Sequence, residues 1–142
     1  MIIYTDMVAD LYHYGHANYI ENIYNKLIKN TNNLLYVGIH NDFDVKSYKR
    51  KPILTMLERI KVLQSNKFIN KIIPNAPIVL TKEYVLEHNI NVMCIPDNRT
   101  IDEINEWYKP VIDIGINIVK FPYTNKISTS DIIKRIRNRT DL

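Results

Sequence analysis

Short apolar runs separated by longer amphipathic stretches are the feature that most restricts the fold of this chain. Ile2-Ile3-Tyr4, Leu34-Leu35-Tyr36-Val37-Gly38-Ile39, Lys71-Ile72-Ile73, Val92-Met93-Cys94-Ile95 and residues 117–121 read as strands. A helix should open near Gly15, because Tyr19, Ile20, Ile23, Tyr24, Leu27 and Ile28 recur at helical spacing until residues 30–33 end it. Strand and helix alternating in this way predict βα units: an α/β domain with a mostly parallel five-stranded sheet, doubly wound, with helices flanking it. At 142 residues, with no internal repeat, linker or low-complexity tract, the chain is expected to form one domain over 1–142.

Local signals fill in the connections. Thr55-Met56-Leu57-Glu58 and Thr100-Ile101-Asp102-Glu103 are capping boxes, in which the Thr oxygen and the Glu carboxylate satisfy free backbone N–H groups. The first of these helices carries Ile60 and Leu63 on one face, and Thr81 caps another that runs to about His88. The helix behind Thr100 is expected to bend or break at Pro110 and to end at Gly115. Ser128 should cap a last helix that buries Ile132, Ile133 and Ile136. Residues 40–51 are polar and without period, and read as a loop.

Composition narrows the function classes. Hydrophobic residues are 46% and charged residues 24% of the chain, ordinary values for a globular protein. The single cysteine, Cys94, rules out an internal disulfide and suits a reducing compartment. No apolar run approaches the roughly 20 residues of a membrane span, and the N-terminus has no signal-peptide pattern, so a cytoplasmic protein without membrane insertion is expected. Nineteen Lys and Arg against 15 Asp and Glu give a net charge of +4, which suits an anionic partner. The positives gather at residues 46–51 and 134–139, and the second group reads as a solvated helix end. Nucleic acid would want a long basic stripe interleaved with aromatics, so a phosphate-bearing small ligand is favoured over it.

Three spots fall at strand-to-helix junctions, where open α/β sheets bind ligands. In Asp10-Leu11-Tyr12-His13-Tyr14-Gly15-His16, two histidines three apart share one face of a helix start, and Gly15 admits a ligand close to the backbone. No third ligand stands at metal spacing, so no metal site is expected there. The other two are the basic stretch Lys46-Ser47-Tyr48-Lys49-Arg50-Lys51 and the cap region Lys126-Ile127-Ser128-Thr129-Ser130-Asp131. Taken singly, each of these last two is ordinary: a solvated loop and an N-cap.

Taken together, His13-Tyr14-Gly15-His16, the basic stretch before Glu58-Arg59, and Ile127-Ser128-Thr129-Ser130-Asp131-Ile132-Ile133 resemble the cytidylyltransferase family of the His-x-Gly-His nucleotidyltransferases. Further matching stretches are residues 37–42, 75–77 and 87–90. The resemblance implies a Rossmann-like fold and transfer of CMP from CTP to a small phosphorylated alcohol, with release of pyrophosphate and no covalent intermediate. It implies His13, His16 and Lys49 as catalytic residues: the histidines on the triphosphate, the lysine between the two phosphates being joined. It implies Asp10, Gly15, Asp97, Lys126, Ile127, Ser128 and Thr129 as nucleotide-binding residues, with Mg²⁺ arriving with CTP. Arg59 matches a recurrent arginine for which a structural role is an equal reading. A homodimer is also implied.

The departures from the family pattern bear on activity and substrate. The family's Gly-x-Phe-Asp is Met7-Val8-Ala9-Asp10 here, and its phosphate-clamping arginine is Tyr123. Loss of that arginine forfeits a charged hydrogen bond of roughly 1.5–3 kcal/mol. Lys126, basic at a position where the family has glycine, is expected to supply the missing charge, so that Lys126→Ala weakens CTP binding. Pro96-Asp97 keeps one acid of an acidic pair, and Thr100 and Ile78 replace aromatic residues. Those aromatics help cage choline, so ethanolamine phosphate or glycerol 3-phosphate is expected ahead of choline phosphate. The alternative is a catalytically degenerate homologue that binds nucleotide or regulates a partner. The chain ends at Leu142 without the amphipathic extension by which some choline enzymes sense membranes, so direct membrane control is not expected.

Overall fold

The computed structural model describes residues 1–142. Five strands, β1 (Ile2–Met7), β2 (Leu34–Ile39), β3 (Lys71–Pro74), β4 (Ile90–Pro96) and β5 (Asn117–Phe121), pair in parallel in the order β3-β2-β1-β4-β5. The central strands β1 and β4 bury side chains on both faces, because successive residues point to opposite sides of the sheet. Ile3, Leu35, Val37, Ile39, Val92 and Cys94 meet Ile20, Ile23 and Leu63 in one core cluster. Tyr4, Ile73, Met93 and Ile95 meet Leu80, Val85, Tyr108 and Val111 in the other. The helices that supply these partners are α1 (Tyr14–Ile23), continued by a π-helical turn (Tyr24–Ile28), and α3 (Met56–Leu63) on the first face. On the second face are α4 (Lys82–Glu87) and α5 (Ile101–Ile112). The expected doubly wound sheet is therefore formed.

The chain crosses outward from β1 to β2 and β3, then returns to lay β4 against the other side of β1. Strand order reverses there, so the carboxyl ends of β1 and β4 open a crevice that no crossover connection covers. Both expected capping boxes are present, at Thr55 with Glu58 and at Thr100 with Glu103.

Three local expectations are corrected. Residues 40–51 are not all loop: α2 (Asp42–Tyr48) forms there, capped by Asn41, whose side chain accepts from the Asp44 N–H at 2.7 Å. Its only buried residue is Val45, so it carries no apolar period to be read from sequence. Pro110 does not break α5, which runs through it to Ile112. Pro110 and Glu106 are exposed, so water reaches the carbonyl that loses its N–H partner. The helix then closes on Gly115, whose φ of 88° and N–H to the Ile112 carbonyl (2.9 Å) make a Schellman-type end with the Ile116 N–H on Val111 (3.1 Å). The last helix, α6 (Thr129–Asn138), buries none of its residues: Ile132 and Ile133 are partly covered and Ile136 is 52% exposed.

Candidate active site

A cavity of about 360 Å³ opens at the carboxyl ends of β1 and β4. It is lined by Asp10, His13, Gly15, His16, Lys49, Ile127, Ser128 and Thr129, so the three sequence stretches meet in one place. Asp97 and Lys126 are exposed and stand outside the lining. Asp97 accepts the Tyr123 N–H at 3.0 Å, pinning the turn after β5.

The β1–α1 turn is wound tightly. Ala9 and Leu11 lie in the left-handed region, with φ of 56° and 48°, at a cost of roughly 1–2 kcal/mol each. They flank Asp10, whose buried carboxylate accepts the Ile53 N–H at 2.8 Å and the Leu54 N–H at 2.9 Å. The Thr129 hydroxyl donates to the Asp10 carbonyl at 2.8 Å. Both carboxylate oxygens of Asp10 thus serve backbone groups, and Asp10 ties the segment before α3, the β1–α1 turn and α6 into one rim.

His13 is the N-cap of α1. Its Nδ1 accepts the Gly15 N–H at 3.1 Å, and Nδ1 of His16 accepts the His13 N–H at 3.1 Å, a capping box built from two imidazoles. This geometry selects the tautomer, because a ring that accepts at Nδ1 carries its proton on Nε2. Burial lowers the pKa of His13, and His16 is pushed down to about 4 by burial, with the His13 ring and the Lys49 ammonium adding to it. Both rings are therefore neutral Nε2–H donors near pH 7. Their centroids lie 3.9 Å apart. A Cβ on Gly15 would lie 2.8 Å from Cε1 of His13, so only glycine leaves this ring in place.

Lys49 follows α2, its N–H on the Val45 carbonyl at 3.0 Å. Burial lowers the pKa of its ammonium, and Arg99 and Arg50 push the same way. Arg50 donates to the Ser130 hydroxyl at 3.1 Å, and Ser128 caps α6 by accepting the Asp131 N–H at 3.1 Å. The N-termini of α1 and α6 thus border the same cavity as three cations, Lys49, Arg50 and Arg99. Free backbone N–H groups and crowded positive charge make this an anion site.

The opposite wall went unread in the sequence. Asp6, His40 and Arg99 line it. His40 has Nδ1 2.9 Å from the Ala76 carbonyl and Nε2 3.6 Å from Asp6 Oδ1. Burial opposes the charge on His40, but Asp6 and the Ala76 carbonyl outweigh it and raise the imidazole pKa. Asp6 Oδ2 and Arg99 Nε are buried without hydrogen-bond partners. No three His, Cys, Asp or Glu side chains gather as a metal site. Arg59 is 1% exposed and lies behind the cavity, donating to the carbonyls of Val8 (2.6 Å), His40 (2.9 Å) and Leu54 (3.2 Å) and to Asp42 (2.8 Å).

Fold and site together define an α/β domain with a positively charged cavity at the topological switch of its sheet. The chain belongs to the cytidylyltransferase-like family, whose sequence profile matches residues 5–135. It is 39% identical over 140 residues to choline-phosphate cytidylyltransferase 2 of Arabidopsis thaliana, covering 94% of this chain and 44% of that protein. It is 33% identical to the choline-phosphate cytidylyltransferase of Saccharomyces cerevisiae, covering 94% of this chain and 31% of that one. The ethanolamine-phosphate cytidylyltransferase of Mus musculus is 29% identical, with 94% and 32% covered. The chain therefore spans less than half the length of these relatives. Among solved structures, a lipopolysaccharide core biosynthesis protein of Thermoplasma volcanium shares the fold, with a TM-score of 0.70 at 17% identity over 88% of this chain and 98% of that one. No helix here is long and apolar enough to cross a membrane.

Proposed function

We propose that this site transfers CMP from Mg-CTP to the phosphate of a small alcohol. An acceptor phosphate oxygen attacks the α-phosphorus in line, and the bond from that phosphorus to the α–β bridging oxygen breaks. Pyrophosphate leaves with that electron pair. The observation that carries the reading is the pair of imidazoles locked by their own helix cap as Nε2–H donors, beside two helix N-termini and three cations. In this reading His13 and His16 donate to triphosphate oxygens without changing protonation, and Ser128 and Thr129 present the α6 N-terminus to the β- and γ-phosphates. Lys49 bridges the phosphates being joined. Such chemistry asks the protein for position and charge rather than for a nucleophile. Mg²⁺ accompanies the nucleotide in this reading and offsets the charge of its phosphates.

Ethanolamine phosphate and glycerol 3-phosphate stand ahead of choline phosphate as acceptors, on the support of Ile78 and Thr100. Ile78 offers no aromatic face, and the Thr100 hydroxyl is engaged as the α5 cap. The 39% identity to a choline enzyme pulls the other way, so the acceptor is read by a panel. The same reading carries a homodimer, checked by the mass in solution.

The test is pyrophosphate release from Mg-CTP with each phosphoalcohol, beside Lys49→Ala. Release with an acceptor, abolished in the variant, supports the transferase and names its substrate. CTP binding without release for any acceptor would overturn it in favour of a non-catalytic nucleotide-binding homologue.

A further inference from the structure

Building on the transferase reading, we propose that Arg99 is the ligand of the acceptor's phosphate, held on the cavity wall opposite the two helix N-termini. Arg99 stands three residues past the end of β4, at the switch point. Its guanidinium lies over the ring of Trp107, 4.7 Å from the centroid, and Nη1 is 3.6 Å from Glu103 Oε2. Those two contacts fix the plane of the fork. Its Nε remains buried in a cavity-lining side chain with no acceptor, a donor left waiting for one.

The transfer needs two anions at once, a triphosphate and a monoester, and the cavity has two charged sides. His13, His16, Ser128 and Arg50 belong to the side of α1 and α6, and Arg50 is tied there to Ser130. Arg99 stands with Trp107 on α5, whose Tyr108 and Val111 pack on the other face of the sheet. Lys49 lines the same cavity with its Nζ over the Tyr48 ring, 5.3 Å from the centroid, and Tyr48 meets Trp107 edge-on at 6.0 Å, so the lysine reaches toward the Arg99 side. Glu103 pairs with Nη1 alone and leaves Nε free, and the other carboxylates of the cavity are engaged elsewhere or unpartnered: Asp10 serves two backbone N–H groups, and Asp6 has one oxygen toward His40 and the other without a partner. A phosphate monoester shared by Arg99 and Lys49 would fill this gap, with the planar fork matched to two phosphate oxygens. Neither Tyr123 nor Lys126 brings a cation into the cavity, so Arg99 is the charge from outside the helix-terminus side that the second anion can use.

Trp107 is the chain's single tryptophan, so its fluorescence reports on this wall without any turnover. The experiment titrates inorganic phosphate into the protein saturated with α,β-methylene-CTP, which cannot transfer. It is run on the parent, Arg99→Gln, Arg99→Lys and Lys134→Ala, an exposed α6 residue outside the cavity, with steady-state kinetics alongside. A saturable change in Trp107 emission is expected for the parent and Lys134→Ala, weaker for Arg99→Lys and lost for Arg99→Gln. In the kinetics, Arg99→Gln should raise the acceptor KM roughly ten- to hundredfold and leave the CTP KM within about twofold. The assignment is overturned if the parent shows no phosphate signal, if Arg99→Gln binds phosphate like the parent, or if the CTP KM rises instead. A parent that binds phosphate through Arg99 but transfers CMP to no acceptor would refute the transferase reading alone, so the two failures are told apart.

Discussion

Replacing Arg59 should unseat the site from behind. Its guanidinium holds the Val8 carbonyl of the β1–α1 turn, the His40 carbonyl at the end of β2, the Leu54 carbonyl before α3, and Asp42 at the start of α2. Arg59→Met keeps an unbranched stem and removes every donor. Each buried carbonyl left without a partner costs roughly 1–3 kcal/mol, but such losses are not additive because water enters and the segments relax. The cost of breaking a buried charged pair, about 3–5 kcal/mol, is the better guide. At roughly 2–4 °C per kcal/mol for a domain near this size, the melting temperature should fall by about 6–20 °C. Arg59→Lys restores the charge but not the spread of donors and should fall in between. Asp42 is 35% exposed at its side chain, so Asp42→Asn should cost far less. Thermal melts followed by circular dichroism give these values directly. A Met variant melting within about 2 °C of the parent would refute the bracing role.

Other outcomes follow from the geometry of the histidine cap. Gly15→Ala places a Cβ 2.9 Å from His13 Nδ1, so kcat/KM should drop at least about tenfold while the fold survives, as kinetics and melts together would reveal. The neutral state of His16 also makes stability pH-dependent. Its folded pKa of about 4 lies below the ordinary 6.5, so the unfolded chain binds the extra proton between those values. Its contribution is full above pH 6.5 and is lost as pH falls toward about 4, on the order of 3 kcal/mol across the window. Urea unfolding at pH 7, 5.5 and 4.5 should show a shallower slope for His16→Asn than for the parent, and parallel profiles would contradict the cap's tautomer.

Much of the architecture was legible because the signals are local. The five apolar runs became the five strands, and Thr55, Thr81, Thr100 and Ser128 cap helices where expected. Helix α2 was hidden because one buried valine has no periodicity, and α6 misled because its isoleucines form an apolar stripe that the domain covers only in part, leaving Ile136 exposed. Pro110 sits where solvent satisfies the carbonyl it frees. The site divides in the same way. His13, Gly15, His16, Lys49 and Ser128 lie in compact motifs, so their gathering could be expected. Asp6, His40 and Arg99 come from three strand ends that are distant in sequence and adjacent only because β4 returns beside β1. Asp6 carries no motif, His40 lies in the matching stretch 37–42 with no role of its own assigned there, and Arg99 lies in a polar turn, so topology alone makes them a wall.

The most direct test of CMP transfer is to follow the phosphorus. Phosphorus NMR of a reaction with Mg-CTP and the preferred phosphoalcohol should show the paired diphosphate resonances of a CDP-alcohol rising one-for-one with pyrophosphate, and neither product with His16→Ala. Inert CTP, or its breakdown to CMP or CDP without a CDP-alcohol, would contradict the assignment of this cavity as a cytidylyltransferase site.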